Sequence, residues 1–148
     1  MINNTLESKL HNLVSFLRQI NRGIDGIAEE IDCKNLKTAL LALAVESKQY
    51  AKEISDQLLH LNMVMLPECK DQFWDRIEFN VHEQAGFAKG SEISALCNNC
   101  ETYFGKLYND VLQEYLPYQS LKDIITYQLF ATQCAFMKIR LLNNLRFN

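Results

Sequence analysis

Three carboxylates, one pair of thiols and one acid–histidine pair have the type and spacing to do chemistry in this chain. Glu46, Glu53 and Glu101 offer oxygen ligands for a metal ion if helices bring them together. Cys97 and Cys100 have the C-x-x-C spacing of redox thiols and of half a zinc site. Glu78 and His82 stand one helical turn apart and have the composition of a general acid–base pair.

A di-iron centre inside a helical bundle sets the sharpest test. It takes a Glu from each of two helices and a Glu-x-x-His from each of the other two. The chain has three histidines, and the residues three before His11, His60 and His82 are Ser8, Gln57 and Phe79. No Glu-x-x-His exists. Glu46 is the nearest remnant, and its i+3 partner is Gln49. In the helical register Glu46 and Glu53 fall at g, beside the seam, Glu101 at e, and Asp25 at b on the outer face. Solvated charges that pair with neighbouring helices are the simplest reading, since carboxylates buried without partners do not stay ionised. The expectation is therefore no catalytic residue, no metal ligand and no cofactor. The alternative is an atypical carboxylate site at Glu46, Glu53 and Glu101.

The C-x-x-C pair falls within a helix with both sulfurs inward, not at a strand-to-helix junction. It reads as structural thiol, because free cysteine packs as a small apolar residue. A zinc site needs two further ligands, and no second Cys/His pair has suitable spacing. Glu78 and His82 lack a nucleophile beside them and read as an exposed i,i+4 contact. His11 and His60 read as surface histidines.

The elements that must position these groups are helices. Leu6, Leu10, Leu13, Leu17, Ile20, Ile24, Ile27 and Ile31 recur in alternating steps of four and three. That 3.5-residue period aligns one stripe for burial along a helix, expected over residues 5–31. Asn4 or Thr5 can cap it, with Asn4 and Glu7 at capping-box spacing. Gly23, at g, either admits a close neighbour or is merely tolerated. After a turn at Asp32 and Asn35, a second helix is expected over 33–61 with Leu36, Leu40, Leu43, Ser47, Tyr50, Ile54, Gln57 and Leu61 inward. So short a turn makes the two helices antiparallel neighbours.

Residues 62–90 form a long connection, broken by Pro67. Phe73, Trp74, Ile77 and Val81 predict a short helix in it. It is long enough to return the length of the bundle, which makes the second and third helices parallel. Ser91 caps a third helix over 92–115, with Ile93, Cys97, Cys100, Phe104, Leu107 and Val111 inward, ended by Pro117. A fourth is expected over 120–145, with Leu121, Ile125, Gln128, Thr132, Ala135, Ile139 and Leu142 inward and Leu129 and Phe136 widening that face. The plan is all-α and spans residues 1–148 as one domain: two antiparallel hairpins joined by one crossover. Among bundles that plan is the ferritin-like one.

Composition bounds the rest. The 148 residues carry a net charge of −3 with both signs interspersed. No basic stripe points to nucleic acid. Glu7 and Lys9 interrupt any signal-peptide core, and the longest apolar run, Ala39 to Val45, is far too short for a bilayer. No membrane association is expected. Five cysteines without a secretion signal suggest free thiols and a cytoplasmic location.

Some segments resemble a bacterial ferritin-like family of unknown function. Asn21, Gly23, Ile24 and Gly26, followed by an acidic stretch, resemble its N-x-G-I-x-G segment. Glu46, Ser47, Lys48, Gln49, Tyr50, Ala51 and Glu53 look like part of its second helix. Trp74 is similar to an aromatic of its crossover, and Gln128, Leu129, Ile139 and Arg140 to part of its last helix. The resemblance implies a four-helix ferritin-like domain associated with stress responses. Late in the last helix, where it would suggest a polar or ligand residue, this chain has Phe136.

Ser47, Tyr50, Gln128 and Thr132 interrupt the apolar seams near mid-helix, the level at which a ferritin-like protein holds metals. Either a neutral hydrogen-bonded layer replaces the charged site, or these are four unrelated polar residues at seam edges. Tyr103, Tyr108, Tyr115, Tyr118 and Tyr127 are dense around the last two helices, and Phe130 and Met137 fall on the outer stripe of the fourth, with Phe147 at its end. Such a stripe marks either a partner surface, with a two-fold homodimer favoured, or a face covered by the crossover. The functional expectation is a non-enzymatic interaction or stress-associated protein. Iron storage or oxidation at an atypical carboxylate site is the alternative, and a helical ligand-binding module is a third reading.

Overall fold

Seven residues of the first apolar line wind into helix α1, Asn4–Glu29, which ends two residues before the expected 31; Ile31 follows it, and all eight are at most 3% exposed. The computed structural model describes residues 4–61 and 91–145. Three more helices follow among them: α2, Lys34–His60; α3, Ser91–Leu112; and α4, Gln119–Leu145. The expected crossover helix around Phe73, Trp74, Ile77 and Val81 lies outside the described residues, as do Pro67, Glu78, His82 and Phe147. Among the described residues no helix is long and apolar enough to cross a membrane.

The helix ends follow from local chemistry. The N–H groups of Glu30 and Ile31 donate to the carbonyls of Ile27 and Ala28, so the last turn of α1 tightens before the chain reverses. Cys33 enters α2 in extended conformation, and its carbonyl accepts from Lys37 N–H at 2.9 Å. Asn4 already belongs to α1 rather than capping it. α3 stops at Leu112, three residues before the expected end. Leu116 precedes Pro117 and is disfavoured from helical geometry, so the chain tightens early, with Glu114 N–H donating to the Val111 carbonyl.

The expected inward lines of α1 and α3 are buried along their whole length, and those of α2 and α4 depart from expectation only late in each helix. In α2, Leu58 is buried where Gln57 was expected, and Gln57 is half-buried. In α4, Phe136 and Asn143 are buried, and Ala135 and Leu142 are half-buried. A straight helix at 3.6 residues per turn drifts about 20° per heptad against a 3.5 repeat, so the next residue takes over the seam.

The four helices close a ring. α1 packs on α2 and α3, and α4 packs on α3 and α2. Each contacting pair runs antiparallel. Lys9 near the start of α1 pairs with Glu114 just past the end of α3 at 2.8 Å. The same ammonium donates to the Asp110 carbonyl, where a cation suits a helix C-terminus. Asn21 Nδ2 donates to the Ala44 carbonyl at 2.7 Å, joining α1 to α2. The ring of His60 lies 5.6 Å from that of Tyr118 where α2 ends and α4 begins. Asn143 late in α4 reaches Ser94 early in α3. Hence α2 and α3 are parallel, and α2 ends at the opposite end of the bundle from the start of α3.

An aromatic knot sits at the heart of the ring. Phe104 meets Phe16 edge-on at 4.9 Å and Phe136 at 5.4 Å, joining α3 to α1 and α4. A glycine weakens α3 beside it. A Cβ at Gly105 would meet nothing within 4 Å. Gly105→Ala therefore removes a mid-helix glycine without a clash and raises stability by about 1 kcal/mol, read from urea denaturation. A loss of stability would show that α3 needs the bare backbone there.

Candidate functional site

At the centre of the bundle lies one amide. Gln128, fully buried on α4, accepts from Tyr108 Oη of α3 at 2.9 Å. Its Nε2 donates to Glu53 Oε1 at 3.0 Å and toward the Tyr50 carbonyl at 3.4 Å, both on α2. One side chain thus ties three helices together. Thr132, one turn along, donates its hydroxyl to the Gln128 and Leu129 carbonyls of its own helix. Ser47 is fully buried, and among the described residues its Oγ has no hydrogen-bond partner.

The mid-bundle layer expected from Ser47, Tyr50, Gln128 and Thr132 is therefore assembled differently. Gln128 is its hub and Tyr50 contributes its carbonyl. Tyr108 and the Glu53 carboxylate complete it, while Ser47 and Thr132 stay outside. The layer is not neutral, because Glu53 brings a carboxylate. Sequence reasoning missed Tyr108 as a member. The signal for it was the same 3.6-residue drift, which turns Tyr108 inward one position after Leu107.

The three candidate carboxylates do not meet. Each takes a different partner on α4. Glu53 accepts from Gln128. Glu101 accepts a short charge-assisted bond from Arg140, which also donates to Asn98 Oδ1 at 3.0 Å. Glu46 is half-buried between α2 and α4. Burial raises its carboxyl above the ordinary value of 4.5, opposed by the charge of Lys138. Among the described residues no three His, Cys, Asp or Glu side chains come close enough to hold a metal ion. The donor set does not fit a di-iron centre: Gln128 and Phe136 face the interior where further carboxylates or imidazoles would be required.

The buried thiols and phenols are held in their protonated forms. Burial pushes the Cys97 thiol up to about 12, with Arg140 opposing and Glu101 adding, and raises Cys100 well above the ordinary thiol value. Neither is a thiolate at neutral pH, so the C-x-x-C pair lacks the nucleophile that redox chemistry requires. Burial, followed by the charges of Glu46 and its neighbours, pushes Tyr50 up to about 12. Tyr108 is raised further by burial. His60 is exposed, as expected. His11 is half-buried rather than on the surface, with Nε2 at 3.9 Å from Glu7.

A groove of about 280 Å³ opens between α2 and α4. Its floor is small and apolar, with Ala39, Ala42, Ala131 and Ala135, and Glu46, Tyr50, Tyr127 and Lys138 stand around it. Comparison with protein-family models, with curated proteins and with solved structures gives no match.

The environment of Glu46 sets a pH dependence. A carboxyl raised by folding favours the protonated native state, so its contribution is present below the unfolded value and is lost as pH rises through the raised one. Glu46→Gln should raise the urea midpoint at neutral pH, and the gain should fade toward about pH 4. A variant less stable than the wild type at neutral pH would show that attraction to Lys138 outweighs burial.

Proposed function

We propose that this chain is a ferritin-like four-helix bundle without an intact di-iron site, acting as a non-enzymatic interaction protein. The observation that carries the reading is the Gln128 hub. A buried amide bonded on both its oxygen and its nitrogen occupies mid-bundle, beside the Phe104–Phe136 aromatic contact. An amide held this way stabilises the bundle and leaves no open coordination position. Two antiparallel hairpins, with the second helix ending far from the start of the third, support the ferritin-like plan. The likeness of the Asn21 to Gly26 and Glu46 to Glu53 segments to a ferritin-like family linked to stress responses points to a similar role. Free thiols at Cys33, Cys97, Cys100 and Cys134 suit a reducing, cytoplasmic setting.

Iron separates this reading from an atypical carboxylate metalloprotein at Glu46, Glu53 and Glu101. Protein purified from iron-supplemented cells should hold iron well below one ion per chain. Anaerobic ferrous titration followed by admission of air should consume no oxygen beyond the buffer blank. Stoichiometric iron with protein-dependent oxygen consumption would overturn the proposal.

A further inference from the structure

Helix α4 carries two apolar stripes on opposite sides. The inner one runs through Leu121, Ile125, Phe136 and Ile139 and is buried in the ring. The outer one runs through Tyr127, Phe130, Cys134, Met137, Leu141 and Leu145, in steps of three and four. Its large side chains are open to solvent: Tyr127 is 63% exposed, Phe130 65%, Met137 66%, Leu141 58% and Leu145 53%. Spacing of this kind is a coiled-coil seam. One edge of it borders α2, where the Tyr127 ring meets that of Tyr50 edge-on at 6.4 Å and Cys134 lines the groove, and the large side chains beyond stay open to solvent.

We propose that this seam is a two-fold homodimer interface in which α4 pairs antiparallel with α4 of a second copy, with the axis passing beside Cys134. Three observations select a second copy of this chain. The first is symmetry. Tyr127 and Leu141 lie seven residues either side of Cys134, and Phe130 and Met137 lie four before and three after it. A pattern balanced about a small central residue matches itself when the helix is reversed, as an isologous interface requires. The second is shape. Large side chains flank the small Cys134, and the alanine-floored groove lies beside them. The same reversal sets Phe130 of each copy level with Lys138 at the rim of the other copy's groove, so ridge meets hollow and a cation meets a ring face. The third is area. Five large side chains at these exposures present about 600–700 Å², close to the roughly 800 Å² that each partner gives to a standard interface. The dimer stands or falls independently of the iron question.

Sedimentation velocity on the full chain at high micromolar concentration tests this. The wild type should sediment at twice the 17.2 kDa chain mass. The double variant Phe130→Glu/Met137→Glu should sediment as a monomer, with far-UV circular dichroism and melting showing an intact fold. Diamide gives an independent geometric reading. It takes one hydrogen from each Cys134 thiol, is itself reduced to the hydrazine, and leaves a disulfide joining the two copies. A non-reducing gel should show that cross-linked dimer in the wild type and none in Cys134→Ser. A monomeric wild type would overturn the proposal. So would a dimer indifferent to the two glutamates, or a dimer without a cross-link that depends on Cys134.

Discussion

The bundle depends on the hydrogen bonds of one buried amide. α1 with α2, and α3 with α4, are hairpins that local apolar stripes can form on their own. What fixes one hairpin against the other is the meeting of α4 with α2 and of α3 with α1. Gln128 sits at the first of these meetings. Apolar side chains can repack in a shifted register, whereas a buried amide left without its partners costs about 1–3 kcal/mol. Its bonds to Tyr108, Glu53 and the Tyr50 carbonyl set the axial register of three helices at once. The Phe104 knot, in contact with Phe16 and Phe136, packs around that register.

α4 is the busiest element for the same reason. Its inner side holds the hub, and α4 supplies a separate partner for each of the three candidate carboxylates: Gln128 for Glu53, Lys138 for Glu46 and Arg140 for Glu101. Carboxylates with separate partners on separate levels stay apart, which is the opposite of what a shared ion requires. The outer side of α4 is left with the apolar seam. One helix thus links the closed interior to the surface proposed to meet a second copy.

Much of the fold was legible because burial follows period. The eight residues of the line from Leu6 to Ile31 are all inward, and α1 buries Val14, Phe16 and Ala28 beyond that stripe because neighbours pack on more than one of its sides. The inward set slips at Leu58 and Asn143 because a heptad template ignores the drift of a straight helix, while Phe136, expected to widen the inward face of α4, is buried there. The candidate site was less legible. Gln128 stood out as a polar interruption of a seam, but its partners depend on how α2 and α3 are set around α4. Nothing along the chain couples Tyr108 to Gln128 across twenty positions. Glu53 looked like a surface charge because its register position lies beside the seam, and Gln128 reaches out to meet it. Ser47 fell on the same polar level with no partner among the described residues, since shared depth does not make a network.

A double-mutant cycle between Tyr108→Phe and Gln128→Leu, read by urea denaturation at one fixed protein concentration, tests the hub most directly. Each single change should cost about 1–3 kcal/mol, because each strips a partner from a buried polar group. The double variant should cost less than the two together, with a coupling of about 1 kcal/mol or more. Costs that add to within about 0.5 kcal/mol would mean that the two side chains do not share a bond, and that something other than Gln128 sets the bundle's register.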